Sequence, residues 1–332
     1  MRCREVQLTS VPDDGVTAAN FGVFEADTGA PTDGQVLVGL RRLGLNAGLA
    51  HRLGGEGTAY GPGVGVGDVP ASDAVVEVLE SNDPQFARGD LGVVQLPWRT
   101  TAVVDAESLR AIGGGVSDDD LNARMTVLGH VGFTAWTGMI QIGQVRPGDT
   151  VYISGAAGGV GSCAVQFAKA VGASVIGVAG SAEKARLLTD DLGADHAVNR
   201  HDGDAVDLLR KAAPDGIDLY YDNVGGEQLD AALEVLNFRG RVVMCGAVAG
   251  APAPENLRKM IYQELTIRGF TVTAHEDLRD RFESQVGGWL RDGKVRSLHT
   301  VFDGIDRVPE AFESLLAGGS CGRVIVSVPS QL

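Results

Sequence analysis

A glycine-rich turn between two short apolar runs constrains this 332-residue chain more than any other feature. Val151–Ile153 predicts a buried strand, Ser162–Val171 a helix and Ala173–Val178 a second strand. Strand, glycine turn, helix and strand in this order form one βαβ unit of a dinucleotide-binding fold. The rest of the chain has to be compatible with such a unit.

The turn carries a variant of the dinucleotide fingerprint, Ala156-x-Gly158-x-x-Gly161, with alanine at the first position. Small residues let the backbone approach a pyrophosphate, which the unpaired N–H groups at the helix N-terminus then bind. Gly161 allows the helix to pack close to the strand. We therefore predict that this unit binds a dinucleotide rather than forming a simple tight connection.

The residues at the end of the second strand predict which dinucleotide the unit binds. NAD-binding units carry an Asp or Glu there for the ribose 2′-hydroxyl, whereas this chain has Ala-Gly-Ser at 179–181. Lys184 follows one helical turn later, and Arg200 lies just past a predicted third strand at 195–198. Two cations and no carboxylate suit a 2′-phosphate, so the sequence predicts NADP.

Strands and helices continue to alternate after this unit. Strands are predicted at 195–198, 217–221, 241–245 and 265–270, and helices at 182–192, 205–212, 228–236, 255–263 and 278–290. This alternation predicts a doubly wound parallel sheet, with ligands outside the carboxyl ends of its strands. Asn223 falls at such an end, where it could bind a cofactor or cap the next helix.

The first part of the chain shows a different pattern. Short strands at 35–40, 73–79, 91–96 and 101–104 are separated by turns, which predicts an antiparallel, partly open β-barrel. A further strand is predicted at 322–328, where the chain returns to complete the barrel. The predicted fold class is α/β with two domains: 1–127 completed by 298–332, and 128–297.

Composition excludes several classes of partner. The formal net charge of −15, with no basic cluster, argues against nucleic acid. The four cysteines have no paired spacing, which indicates reduced thiols rather than a disulfide framework or zinc knuckle. Neither a signal peptide nor a uniformly apolar window of about 20 residues is visible. We expect a cytoplasmic protein with a small-molecule substrate and no membrane partner.

Eight segments together resemble a known family. They are AYGPGVGVGDV (59–69), GHVGFTAWTGM (129–139), SGAAGGVGSCAVQFAK (154–169), GVAGSAEKARLL (177–188), YDNVGGEQLDAAL (221–233), GRVVMCGAV (240–248), IYQELTIRGF (261–270) and LLAGGSCGRVIVSV (315–328). Their order and spacing resemble the medium-chain dehydrogenase/reductase superfamily and, within it, the zinc-independent leukotriene B4 12-hydroxydehydrogenase/prostaglandin reductase group. The resemblance implies a GroES-like barrel beside a Rossmann domain, and a homodimer that uses NADPH to reduce a carbon–carbon double bond conjugated to a carbonyl.

The resemblance also implies a set of cofactor residues. Lys184 matches the family's 2′-phosphate lysine and Asn223 its cofactor-binding asparagine, while 245–248 and 270–272 match segments beside the nicotinamide. The full expected set is Thr134, Ala157, Gly158, Gly159, Val160, Gly161, Ser181, Lys184, Arg200, Asn223, Cys245, Gly246, Ala247, Val248, Phe270, Thr271, Val272 and Ser320.

The chain departs from the family at several of its positions. Arg200 replaces a tyrosine at the 2′-phosphate, which keeps the electrostatics favourable. Ser320 replaces an asparagine, Ala251 replaces one pocket tyrosine, and Asn46–Ala50 replaces a stretch that holds another. The cofactor half therefore matches the family better than the substrate half does.

The zinc ligands of the superfamily's metal enzymes have no counterpart, because the six histidines are scattered without ligand spacing. We therefore expect direct hydride transfer from NADPH to the β-carbon of an enone, followed by protonation at the α-carbon. The proton donor could be Tyr60, a cofactor ribose hydroxyl or water, although Tyr60 could equally pack at a turn. We expect Tyr262 in the core.

Two alternatives remain open on the sequence alone. A zinc-free quinone reductase of the same superfamily would share the glycine turn, and Asn46 could match its active-site asparagine. A non-catalytic NADPH-binding protein would explain the loss of both pocket tyrosines.

Overall fold

The computed structural model describes residues 1–55, 57, 61–113, 116–247, 254 and 256–332. Within these ranges the strands are β1 (Arg2–Leu8), β2 (Phe21–Asp27), β3 (Gln35–Gly44), β4 (Ala71–Ser81), β5 (Leu91–Pro97), β6 (Thr101–Asp105), β7 (Arg110–Ile112), β8 (Thr150–Ile153), β9 (Ser174–Ala179), β10 (His196–Asn199), β11 (Ile217–Asp222), β12 (Leu236–Met244), β13 (Thr266–Gly269), β14 (His299–Asp303) and β15 (Arg323–Ser327).

The α-helices of the described ranges are α1 (Asp118–Met125), α2 (His130–Trp136), α3 (Gly159–Val171), α4 (Ala182–Asp190), α5 (Ala205–Ala212), α6 (Glu227–Val235), α7 (Lys259–Tyr262), α8 (Arg279–Arg291) and α9 (Val308–Leu316). A π-helical turn at Thr137–Ile142 continues α2. None of these helices is both long and apolar enough to cross a membrane. Backbone contacts divide the chain into two units, Met1–Met125 with His299–Leu332, and Thr126–Leu298.

The first unit is built mainly from antiparallel strands, although β14 and β15 pair in parallel, and its strands β3 and β4 are buried along most of their length. Its main sheet has the order β14-β15-β3-β4-β5-β7; β6 also pairs with β3, and β1 pairs with β2 as a hairpin. The tail strand β15 pairs antiparallel with β3, as the sequence predicted. Trp98 lies at the centre, fully buried, with its indole N–H donating to Ser72 Oγ at 3.0 Å.

The second unit is a six-stranded parallel sheet of order β10-β9-β8-β11-β12-β13. Its central strands β8, β9 and β11 are short, mostly apolar and buried, because helices cover both faces of a doubly wound sheet, whereas the edge strands β10 and β13 are more exposed. The order reverses between β8 and β11, which makes the ends of these two strands the topological switch point. The α/β fold class, an antiparallel unit joined to a doubly wound parallel unit, is confirmed.

Several local predictions were wrong. Tyr262 is 72% exposed and lies outside the core. The helix expected at 255–263 is reduced to α7, and the helix α6 is followed at once by β12, which begins five residues earlier than predicted. Strands β1, β2, β7 and β14 and the helices α2 and α9 were also not predicted.

Candidate functional site

The sheet register brings most of the predicted cofactor residues to one edge of the second unit. Asn199 pairs with Ala179, Ile153 with Tyr221, Asp222 with Met244, and Met244 with Gly269. All these strands are parallel, so the segments that follow them emerge at the same edge. The segments are Arg200, Gly180–Ser181, the glycine turn, Asn223, Cys245–Ala247 and Phe270–Val272.

The glycine turn holds the start of α3 against the end of β8. A Cβ atom on Gly161 would lie 2.2 Å from the carbonyl oxygen of Gly155 and 2.7 Å from the Cα of Ala156. Real Cβ contacts do not approach backbone so closely, so only glycine fits at this position. Gly155 also has φ +57°, in the left-handed region that glycine adopts without strain.

The first turn of α3 offers the surface that a pyrophosphate requires. Gly158 is the N-cap, is exposed, and would place a Cβ 3.3 Å from one neighbouring atom, the Gly155 carbonyl oxygen. Gly159 and Val160 follow in the first turn and are half-buried, while Ala157 is buried behind them. The N–H groups of a helix's first turn lack partners within the helix and attract anions.

A cationic corner lies beside this turn, where β9 and β10 end. The backbone N–H of Arg200 donates to Ala179 O at 3.0 Å, and its guanidinium passes 3.6 Å from the Cβ position of Gly180. Ser181 caps α4, its hydroxyl accepting from the Lys184 N–H at 3.2 Å. The structure thus brings Ser181, Lys184 and Arg200 together, as the sequence predicted.

Asn223 lies across the switch point from this corner. Its backbone N–H donates to Ser154 Oγ at 2.9 Å, and its side-chain Nδ2 donates to Ser154 O at 2.7 Å. The α6 helix begins at Glu227 with Gly226 as N-cap, so Asn223 is not the capping residue. Ser154, which follows β8, and Asp222, which ends β11, were not predicted as site residues. The signal that could have identified them is a polar residue at the end of an otherwise apolar strand.

Cys245 and Gly246 continue the edge from β12. Both backbone N–H groups donate to Asp222 O, at 2.8 and 3.1 Å. Burial, the largest cause, and the charge of Asp222 raise the pKa of the Cys245 thiol to about 11. Burial also holds the pKa of Tyr221 well above its usual range. Both groups are therefore protonated at neutral pH.

The π-helical turn approaches this part of the edge closely. Tyr221 donates its hydroxyl hydrogen to the Thr134 carbonyl at 3.1 Å, and a Cβ on Gly138 would lie 2.6 Å from the Tyr221 ring and 2.9 Å from the Phe270 ring. π-Helical turns often occur at functional sites. Thr134 therefore contacts Tyr221, and the rings of Tyr221 and Phe270 both lie beside Gly138. After Phe270, Thr271 is exposed and Val272 is buried.

Four other residues named from the sequence lie in the first unit or outside the described ranges. Tyr60 and Val248 lie outside the described residues. Ser320 belongs to the first unit, where it is 8% exposed and precedes β15. Asn46, the residue that favoured a quinone reductase, caps a short turn by accepting the Gly48 N–H at 2.8 Å.

Metal-binding side chains do not cluster in the part of the chain that the structure describes. No group of three or more His, Cys, Asp or Glu side chains is placed there to hold an ion.

A fingerprint turn at the switch point of a parallel sheet defines a doubly wound dinucleotide-binding protein. Two family descriptions match the chain: "N-terminal domain of oxidoreductase" over residues 4–112 and "Zinc-binding dehydrogenase" over residues 159–285.

Individual proteins match over nearly the whole length. The NADPH-dependent curcumin reductase of Escherichia coli (strain K12) is 33% identical over 338 residues, covering 98% of this chain and 97% of that protein. Prostaglandin reductase 1 of Rattus norvegicus is 34% identical over 272 residues, 78% of this chain and 82% of its own. The crystal structure of CurA in complex with NADPH, from Vibrio vulnificus, has a TM-score of 0.91 at 29% identity, covering 98% of this chain and 99% of CurA. The chain belongs to the medium-chain dehydrogenase/reductase superfamily, in its zinc-independent prostaglandin reductase-like group.

Proposed function

We propose that this protein is an NADPH-dependent reductase of carbon–carbon double bonds conjugated to a carbonyl group. The observation that carries the proposal is the end-to-end similarity to an NADPH-dependent curcumin reductase, 33% identical over 98% of the chain. When bound, NADPH supplies the hydride that is transferred to the β-carbon of the substrate. The chain itself has to bind the cofactor, orient it and stabilise charge on the substrate oxygen.

The second unit fits this cofactor on its own geometry. Gly161 packs the start of α3 against the end of β8, the exposed Gly158 leaves room for a pyrophosphate, and the N-terminus of α3 offers N–H donors to it. Lys184 and Arg200 supply two cations for a 2′-phosphate, and Ala-Gly-Ser stands at 179–181, where NAD-binding units carry a carboxylate. Asn223, Cys245–Ala247 and Phe270–Val272 then line the other half of the cofactor site. We assign residues 128–297 to cofactor binding, and 1–127 with 298–332 to substrate binding.

Reaction chemistry can be tested with a labelled hydride. The protein is incubated with a 2-alkenone and NADPH that carries deuterium at the transferred position, and the product is analysed by NMR. We expect a saturated ketone with deuterium on the β-carbon. Deuterium on the carbonyl carbon, giving an allylic alcohol, would instead make the protein a carbonyl reductase.

We also propose that the protein is a homodimer that associates through the β13 edge of the parallel sheet. β13 ends the strand order, so within the described residues its outer edge has no paired strand. Phe238, Ile261 and Tyr262 near this edge are 57%, 75% and 72% exposed. Large apolar side chains exposed together are typical of protein–protein interfaces.

Size-exclusion chromatography with light scattering tests the dimer. Ile261→Lys combined with Tyr262→Lys is expected to give a monomer, because like charges would be buried in the contact without partners. Val66→Lys changes another residue, one that is 60% exposed in the first unit, and serves as the matched control. A wild-type monomer, or an equal effect of the control, would contradict the proposal.

A cytoplasmic location is the remaining part of the proposal. It is supported by the four cysteines, all of which are free. Fractionation of cells that express the untagged chain tests it, and recovery with membranes would contradict it.

A further inference from the structure

A buried carboxylate gathers hydrogen-bond donors directly behind Asn223. Asp222 is fully buried at the end of β11, and its Oδ1 atom accepts from the Tyr220 hydroxyl (2.7 Å), the Ser154 hydroxyl (3.2 Å) and the N–H groups of Val224 (2.9 Å) and Gly225 (2.7 Å). Its Oδ2 atom has no partner among the described residues. A buried carboxylate is costly, so this arrangement is stable because Oδ1 is so fully satisfied.

Ser154 connects Asp222 to Asn223 by hydrogen bonds. The Ser154 hydroxyl donates to Asp222, which directs its lone pair toward the backbone N–H of Asn223. The Ser154 carbonyl accepts from Asn223 Nδ2 at 2.7 Å. The asparagine is therefore held at two points by one fully buried residue.

These bonds orient the amide. One of the two Nδ2 hydrogens of Asn223 is bonded to the Ser154 carbonyl, whereas no described residue donates to its Oδ1 atom, which is therefore turned away from Ser154. A carbonyl oxygen accepts hydrogen bonds and cannot bind a phosphate oxygen. Its partner has to be a donor, which on a dinucleotide means a ribose hydroxyl or an amide N–H.

The strand order indicates which half of the dinucleotide this is. The cationic corner of Lys184 and Arg200 follows β9 and β10, on one side of β8. Asn223 follows β11, on the other side of β8. A dinucleotide that spans the switch point has its 2′-phosphate on the first side, so Asn223 contacts the half that carries the nicotinamide.

We propose that Asp222 and Ser154 are positioning residues that hold Asn223 with its carbonyl oxygen ready to accept a hydrogen bond from the nicotinamide half of NADPH, from a ribose hydroxyl or the carboxamide. This inference rests on the proposed function, because it takes NADPH as the ligand. It adds two residues that do not themselves contact the cofactor but fix the one that does.

Comparing NADPH with adenosine 2′,5′-bisphosphate distinguishes binding at the two halves of the cofactor. Adenosine 2′,5′-bisphosphate retains the 2′-phosphate half and lacks the nicotinamide half, so it does not reach Asn223. Isothermal titration of NADPH and of the bisphosphate is carried out on the wild type, Ser154→Ala, Asn223→Ala, their double variant and Asp222→Asn. Tyr152→Phe is the matched control, since it removes a buried hydroxyl of the same sheet that bonds to Gln228 at 2.5 Å and not to Asn223.

We expect Ser154→Ala and Asn223→Ala each to weaken NADPH about 2- to 10-fold, the effect of one hydrogen bond, with bisphosphate affinity unchanged. The double variant is expected to bind NADPH no more weakly than Asn223→Ala alone, because both substitutions act on the same contact, the one between Asn223 and NADPH. Asp222→Asn should also weaken NADPH binding. Tyr152→Phe should lower thermal stability and leave both affinities unchanged.

Three results would overturn the positioning role: unchanged NADPH affinity in Ser154→Ala, equal loss for both ligands, or additive losses in the double variant. If Asp222→Asn does not fold, the Ser154→Ala and Asn223→Ala pair decides the question alone. Failure of the wild type to bind the bisphosphate at all would instead refute the proposed function, independently of Ser154.

Discussion

Replacing Gly161 with alanine places a methyl group where the backbone leaves no room. The new Cβ would lie 2.2 Å from the Gly155 carbonyl oxygen, whereas ordinary van der Waals contact begins at 3.4 Å. The groups have to separate by about 1 Å, and neither is a flexible side chain, so the start of α3 has to move away from β8. Overpacking typically costs about 1–3 kcal/mol, and we expect the upper end here because the contacts are with backbone.

Urea unfolding, followed by circular dichroism, measures this loss, and NADPH titration measures its effect on the site. Gly161→Ala should lower the midpoint and weaken NADPH, because the N–H groups of the first turn move with the helix. Gly158→Ala has only one close contact, at 3.3 Å, so it should fold almost normally and weaken NADPH through its exposed methyl group.

Gly29→Ala is the control, since a Cβ there meets nothing within 4 Å. If Gly161→Ala unfolds at the same urea concentration as the wild type and Gly29→Ala, the steric account of the fingerprint turn is wrong.

Three further outcomes follow from the site. Lys184→Ala combined with Arg200→Ala should weaken NADPH far more than NADH, by about 10-fold or more, because each cation makes a charge-assisted contact with the 2′-phosphate; equal weakening of both cofactors would remove that assignment. The pKa of Cys245 is raised to about 11, so its thiolate population is small at pH 8 and rises as pH increases toward 11. Iodoacetamide labelling, mapped by mass spectrometry, should therefore be much slower at Cys245 in the folded protein than in urea. Equal labelling rates would contradict the raised pKa. Metal chelators should leave the reductase activity unchanged, and loss restored specifically by zinc would refute the zinc-free mechanism.

Local sequence patterns predicted the parallel unit well because its central strands β8, β9 and β11 are short, mostly apolar runs bounded by turns. The steric role of Gly161 could be predicted from the fingerprint spacing, which places this residue at the helix start facing the strand. The cationic corner could also be predicted, because the ends of adjacent parallel strands necessarily meet.

Other features depend on contacts distant in the chain. Ser154 and Asp222 are 68 residues apart, and nothing in either segment indicates that one hydroxyl would join them to Asn223. Tyr262 was expected in the core, yet it ends the short helix α7 and is 72% exposed. The capping bond of Asn46, which accepts from the Gly48 N–H, is local and could have been predicted from its position before a short turn.

The most direct test of the central claim is a paired assay of NADPH and NADH oxidation with 2-alkenals, alkenones and quinones. The account predicts turnover of alkenals or alkenones, with a strong preference for NADPH that the Lys184→Ala and Arg200→Ala double variant loses. Turnover of quinones alone, or tight NADPH binding without turnover of any of these compounds, would contradict it.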